Sequence, residues 1–373
     1  MLQRVFELDA DESQKAAFAL TKDAAFSEDQ GLVQIASDLL DQEETLAGIA
    51  DTMMVFTRAH GALIDSGRLS SAAELLRALS AARKRFAQSQ PLWEKKIGEA
   101  VTSICSRERL GHLSDSLNQR PEISSEQLKD YLSCFDWTTY AALSVLLGAL
   151  EHEEHRFALC EFLSQIDKQH IDLIASGMYD KRWHVVRDTA MILGHFDTTR
   201  AHKHLIKAFD HPDRRVRLEV VSCASSHRVE FVRQVALAGI RDEDGEIQDM
   251  ALDMALKQSG ENAFILFTEL VKEIGLDKLP ASATEKALLG YSLGGQERAV
   301  PLLVKLAGSR GLFKRTPAHY RREAMQALAR NSAAEAEAAL KKMSRSWNND
   351  VRMLARAALD ERNEESTGAG PAA

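Results

Sequence analysis

The chain has 373 residues, of which 45% are hydrophobic, 27% charged and only 6% aromatic. This composition is typical of an Ala- and Leu-rich helical protein rather than of a disordered or sheet-rich one. The formal net charge is −8, but residues 1–180 carry 17 Lys and Arg against 29 Asp and Glu, whereas residues 181–373 carry 30 against 26, which argues against a strongly basic nucleic-acid-binding domain.

Residues 1–120 form an acidic region in which apolar residues recur at helical spacing. Gly67 is expected to end one helix, and Ser70 or Ser71 to cap the next. The polar segment 111–130, with Gly111 and Pro121, is either a domain boundary or a long loop between helices. We expect this region to continue into the helical array that follows it, which we place at residues 126–362.

The next segment, EHEEHR at 151–156, carries two histidines among three glutamates. His152 and His155 are three residues apart, whereas the HExxH zinc motif needs two histidines four apart on one helix. The segment is therefore interpreted as a solvated connection between two helices.

A repeated pattern begins at Asp180. The stretches DKRWHVVRDTAMILG, DHPDRRVRLEVVSCA and RDEDGEIQDMALDMA each contain a polar loop, a β-branched residue, a long polar residue and an apolar helical face. The long polar residues are Arg187, Arg217 and Gln248, which are 30 and 31 residues apart. Spacing of 20 to 50 residues indicates stacked repeats. Lys286, Arg322 and Arg352 extend the series to about six helical hairpins.

DHPDRRVR at 210–217, DKRWHVVRDTAMILG, NNDVRMLARAAL and the first-helix segment AVPLLVKLA resemble the short bacterial HEAT repeat, an armadillo-type fold. The resemblance implies an all-α, right-handed α-solenoid of stacked HEAT-like hairpins. It implies that the second helices line a concave face, which in this family binds other macromolecules, most often proteins. The repeated Asp and Arg match family positions whose role is usually structural.

Physically, an Asp in the loop and an Arg in the next helix can form a ladder of charge-assisted hydrogen bonds between repeats. The residues assigned to this ladder are Asp180, Arg187, Asp210, Arg217 and Arg352. Gln248 and Lys286 depart from the pattern, so we expect the ladder to weaken in the middle repeats.

Catalytic chemistry has little support in the sequence. His202 and His204 are two residues apart and point in different directions on a helix, and GYSLGG at 290–295 lacks the strand that precedes a phosphate-binding loop. We predict no enzymatic activity, no catalytic, cofactor-binding or metal-binding residues, and no small-molecule substrate. Four widely spaced cysteines are expected to be reduced. No apolar run of about 18 residues is present, so we predict a cytoplasmic protein with no membrane contact.

The sequence therefore favours a non-catalytic scaffold or adaptor that binds another protein, of acidic character, through its concave face and loops. The basic segment GLFKRTPAHYRR at 311–322 makes one repeat loop longer than the others. The candidate partner-binding residues are Trp183, His184, Arg214, Phe313, Lys314, Arg315, Tyr320, Arg321 and Arg322. The alternative is a nucleic-acid-binding protein, similar to HEAT-like DNA glycosylases, with a basic strip in the C-terminal half. Residues 363–373 are expected to form a disordered tail.

Overall fold

The protein is described by a computed structural model. The description covers residues 31, 34–35, 38–40, 42–271, 276, 279, 281–308 and 318–368. Across these residues the chain forms α-helices and short 3-10 turns, and no strand occurs in them. The all-α prediction is thus confirmed. No helix in this part of the chain is long and apolar enough to cross a membrane.

The chain divides into two compact units, the first ending at His204 and the second beginning at Leu205. This division does not coincide with the boundary considered at 111–130, where only a short turn separates two helices. The first unit contains α1 (Leu46–Asp65), α2 (Leu69–Phe86), α3 (Pro91–Ile104), α4 (Arg107–Gln119), α5 (Ser125–Leu132), α6 (Tyr140–Leu146), α7 (Glu153–Leu163), α8 (Ile171–Ile174) and α9 (Trp183–Leu193).

The helix α10 (Thr199–Lys207) contains the division between the units. The second unit continues with α11 (Arg214–Ala224), α12 (Val229–Ile240), α13 (Gly245–Leu256), α14 (Gly260–Glu269), α15 (Ala281–Gly295), α16 (Val300–Gly308), α17 (Ala318–Ala329), α18 (Ala334–Met343) and α19 (Asn349–Gly368). The last helix includes residues 363–368, which composition had assigned to the tail. Residues 369–373 lie outside the described part.

Each unit is built from two layers of helices. In the first unit, α2, α5, α7 and α9 contact one another in succession, as do α1, α4, α6 and α8. In the second unit the successive contacts run through α11, α13, α15, α17 and α19, and α12, α14, α16 and α18 pair with them as hairpins. The apolar faces of both layers meet in a core of mostly Leu, Ala, Ile and Val side chains, which is where amphipathic helices gain stability from burial.

Local sequence signals explain where several helices begin and end. Ser124 and Gln127 form a reciprocal capping box at the start of α5. Asp213 and Asp244 cap α11 and α13 by accepting hydrogen bonds from backbone N–H groups. Gly67 follows α1 with a φ of 76°, a left-handed conformation that favours glycine. The next helix starts at Leu69, so the predicted serine cap is not used.

The expectation for 151–156 holds for its first part, because Glu151 and His152 connect two helices, but α7 already begins at Glu153. His155 lies inside this helix with none of its surface exposed, and its Nε2 is 2.8 Å from the carbonyl oxygen of Ile123. Glu151, Glu153 and Glu154 are exposed, so the segment is a largely solvated junction that contains one buried histidine.

The glycines of α15 allow close packing against α14. A Cβ atom at Gly290 would lie 2.2 Å from ring atoms of Phe267, which is inside van der Waals contact. This packing gives the GYSLGG segment a structural role within a helix.

We expect Gly290→Ala to destabilise the second unit by about 1–3 kcal/mol, because the added methyl group overpacks a filled core. The free energy of unfolding in urea measures the effect. Gly245→Ala is the matched control, since nothing lies within 4 Å of its Cβ position, and it should leave the unfolding midpoint unchanged or slightly raised. Equal unfolding midpoints for both variants would show that the close contact with Phe267 does not determine stability.

Candidate ligand-binding groove

The repeated polar position has a common local function. Arg217 Nη1, Gln248 Nε2 and Arg352 Nη1 each donate a hydrogen bond to the carbonyl oxygen six residues earlier, at 3.0, 2.6 and 2.9 Å respectively. Each side chain thereby fixes the loop before its helix. Gln248 keeps this bond although it departs from the arginine pattern.

Contacts between successive loops are made at one of these positions. Arg217 forms two hydrogen bonds with the carboxylate of Asp242 in the next loop, at 2.7 and 3.0 Å. Asp180 instead pairs with Arg182 in its own loop, and this hydrogen bond lowers the pKa of Asp180 to about 2. Arg187 pairs with the adjacent Asp188, and Asp210 is exposed at the end of a 3-10 turn.

Trp183 and His184 lie at the start of α9 and not in a loop. The guanidinium of Arg187 is 5.4 Å from the Trp183 ring centroid. Burial lowers the pKa of His184, and the nearby charge of Arg156 lowers it further. The Trp183 ring therefore packs against a side chain of its own helix.

The basic strip expected from the sequence is largely paired with acids. Arg214 bonds to Asp244 and Glu246, and Arg215 bonds to Asp213. Since Arg217 is also paired, the strip offers little free positive charge to a phosphate backbone.

The long basic loop is only partly described. Tyr320 belongs to α17, is 8% exposed, and donates its hydroxyl hydrogen bond to the carbonyl oxygen of Leu276. Arg321 lies 3.9 Å from Asp350, and Arg322 is exposed on the same helix. Phe313, Lys314 and Arg315 lie outside the described residues, so binding of an acidic partner at this loop stays a prediction.

The two histidines of α10, His202 and His204, have different neighbours. His202 Nε2 is 3.1 Å from the Asp197 carboxylate, and the His204 ring packs edge-on against Tyr179. Carboxylate and imidazole are metal-ligand types, so the structure brings together two such groups where the sequence predicted none.

A groove in the second unit combines apolar walls with an exposed tryptophan. It has a volume of about 690 Å3 and lies between α16, α18 and the start of α19. Trp347 lies at the edge of the groove and is 93% exposed. The other lining residues are Val304, Gly308, Glu335, Ala338, Ala339, Lys342, Met343, Ser346, Asn348 and Val351.

The loop that carries Trp347 is fixed on both sides of it. The backbone N–H of Ser346 donates to the carbonyl of Met343, and the backbone N–H of Asn348 donates to the Ser346 hydroxyl. Arg352 donates to the Ser346 carbonyl, and the Asn348 side chain caps α19 by accepting from Val351 N–H. The indole therefore projects from a pre-organised backbone.

Sequence reasoning did not single out Trp347, although a signal was present. Trp347 stands five residues before the repeated Arg352, and the equivalent positions hold Arg182, Pro212 and Glu243. This is a position that the loop exposes, since the Glu243 side chain is 89% exposed. A large aromatic residue in a polar, exposed register is the departure that points to binding.

Comparisons with known proteins give only distant similarity. No family model and no curated protein matches the chain. One similar solved structure is an engineered protein, with 16% identity, a TM-score of 0.33, and coverage of 94% of this chain and 99% of that one. Another is human deoxyhypusine hydroxylase in complex with glycerol, with 16% identity, a TM-score of 0.29, and coverage of 69% and 98%.

These findings correct the functional prediction. Neither the comparisons nor the described residues contain anything that favours a scaffold role. The prediction of a non-catalytic scaffold, with its nucleic-acid alternative, is therefore wrong. The described residues are helical, and the comparisons assign the chain to no family.

Proposed function

We propose that the Trp347 groove binds a small, largely apolar organic molecule that carries an aromatic ring and an anionic group. The observation that carries the proposal is the 93% exposure of Trp347 beside apolar walls. Aromatic side chains contribute large areas at binding sites, and covering about 200 Å2 of such surface stabilises a complex by roughly 5 kcal/mol before binding entropy is lost. The groove also falls within the usual volume range of small-molecule sites.

The polar groups of the groove favour an anionic end on the ligand. Glu335 and Lys342 lie on the groove side of α18, seven residues and so about 10 Å apart along the axis. Lys342 is one turn before Ser346, at the end of the groove that holds Trp347. A ring stacked on the indole would place an attached carboxylate or sulfonate within reach of the Lys342 ammonium, while Glu335 disfavours negative charge at the far end.

In this proposal the groove binds its ligand without a chemical step, because Glu335 and Lys342 are the only ionisable residues among its described walls. We infer further that the hairpins of the second unit are HEAT-like repeats stacked as a solenoid. The support is the recurring side-chain bond to the carbonyl six residues earlier, which gives successive loops the same geometry.

Titration with 8-anilinonaphthalene-1-sulfonate, an aromatic anion, tests the groove. We expect Trp347→Ala to weaken binding at least about tenfold, because the stacking surface is lost. Trp137→Ala is the matched control: Trp137 is 54% exposed and stacks on His170 in the first unit, and its removal should leave the dissociation constant unchanged. Equal affinity of wild type and Trp347→Ala would overturn the proposal.

The anionic end is tested separately with two neighbouring lysines. Lys342→Gln should weaken binding of the same dye several-fold, since it removes the charge nearest Trp347. Lys341→Gln serves as control, because Lys341 pairs with Glu337 and does not line the groove. Equal losses in both variants would indicate a general charge effect and would remove the assignment of Lys342.

A further inference from the structure

A second groove lies in the first unit, between α1 and α3, with α4 at one end. It has a volume of about 360 Å3, and its walls include Arg58, Lys96, Arg109 and a single carboxylate, Glu99. The three cations come from three different helices. Their convergence stands out because residues 1–180 carry 17 basic against 29 acidic residues.

Two of these cations have no acidic partner among the residues that the structure describes. Lys96 and Glu99 form an ion pair at 2.8 Å and so balance each other. The guanidinium groups of Arg58 and Arg109 differ from this pair. Among the described residues, neither group has an ion-pair partner or a side-chain hydrogen-bond partner. The groove thus carries a net charge of about two positive units in its walls.

Two other arginines of this unit are paired with carboxylates. Arg77 bonds to Asp130 at 2.5 Å, and Arg83 bonds to Glu94 at 2.6 Å. The planar guanidinium group matches carboxylate and phosphate oxygens in pairs. The unneutralised pair in the groove fits a site whose counter-charge arrives with a ligand.

The floor of the groove is apolar. Met53 is 5% exposed and Ala100 is 7% exposed, while Met54 stands at the rim with 55% exposure. Methionine adapts its shape to varied apolar groups. The ligand should therefore combine two negative charges with a short apolar body.

We propose that this groove is a binding site for a small organic dianion, such as a phosphate monoester or a dicarboxylate, held by Arg58 and Arg109 with its apolar part on Met53 and Met54. The site is independent of the Trp347 groove. Arg109 also contributes, after burial, to lowering the pKa of His60, which gives ligand binding a spectroscopic reporter.

The test is calorimetric titration of the full chain at low salt with phenyl phosphate, phthalate and uncharged phenol. It is run in the Trp347→Ala background, so that the groove of the second unit does not contribute. We expect binding of at least one dianion and none of phenol, with affinity that falls as salt rises. Stronger binding of phenyl phosphate or of phthalate distinguishes phosphate from dicarboxylate ligands.

Arg58→Gln and Arg109→Gln should each weaken dianion binding by roughly tenfold or more. Arg83→Gln, which removes an arginine already paired with Glu94, should change it less than about twofold. Saturation with the dianion at pH 7 should also change the NMR chemical shifts of the His60 ring, since the bound charge offsets that of Arg109. No dianion binding at millimolar concentration, or unchanged binding in both Gln variants with native circular dichroism, would overturn the proposal.

Discussion

Replacing Arg217 with alanine is expected to destabilise the second unit by about 3–5 kcal/mol, the usual cost of breaking a buried ion pair. The Arg217 and Asp242 side chains are only 8% and 5% exposed, so the lost guanidinium would leave a carboxylate that is both desolvated and unpaired. The variant also loses the bonds to the carbonyl oxygens of His211 and Pro212. The free energy of unfolding in urea measures the change.

Arg215→Ala is the matched control for this prediction. Arg215 is two residues away on the same helix and pairs with Asp213 in solvent, where an ion pair contributes little. Its removal should lower stability far less than the removal of Arg217, because solvent screens the exposed pair. Arg217→Gln should fall between the two, because Gln248 shows that a glutamine can keep the loop bond. A loss of stability in Arg217→Ala no larger than in Arg215→Ala would refute the structural role.

Acidification is expected to destabilise the first unit through His60. This side chain is 3% exposed and shares a hydrogen bond of 2.9 Å with the Tyr131 hydroxyl. Burial lowers the pKa of His60 from 6.5 to about 4, with Arg109 as a second cause. Between these values the unfolded chain binds a proton at His60 that the folded chain does not bind. The contribution of neutral His60 to the free energy of unfolding is therefore fully present above about pH 6.5 and falls as the pH drops towards 4.

The size of this effect follows from the difference between the two pKa values. At about 1.4 kcal/mol per pH unit, protonation of the unfolded state costs on the order of 3 kcal/mol by pH 4. Hydrogen exchange of the α1 and α5 amides between pH 7 and 4.5 measures the local stability. The double variant His60→Phe with Tyr131→Phe removes both polar partners and should flatten the acid dependence, whereas His112→Asn, at an exposed position, should keep it. Equal slopes in the two variants would exclude His60 as the source.

The helical character and the repeats could be predicted from the sequence, because both depend on local patterns. Apolar residues at helical spacing predict the helices, and Asp213 and Gly67 mark helix ends through their own hydrogen bonds and dihedral angles. The 30- and 31-residue spacing of Arg187, Arg217 and Gln248 indicated equivalent positions. At two of the three, the structure then shows the same bond to the carbonyl six residues earlier.

The pairing and exposure of individual side chains were decided by tertiary structure alone. Arg217 pairs with Asp242, 25 residues away, and not with Asp210 as a ladder would require. The distance between these charges depends on how neighbouring loops stack. His155 is buried by the turn at Ile123, which no local pattern specifies. Arg58 and Arg109 meet in one groove although 51 residues separate them. Local periodicity therefore determined the helices and their repeats, whereas the packing of distant segments determined which charges are neutralised and which rings remain open to a ligand.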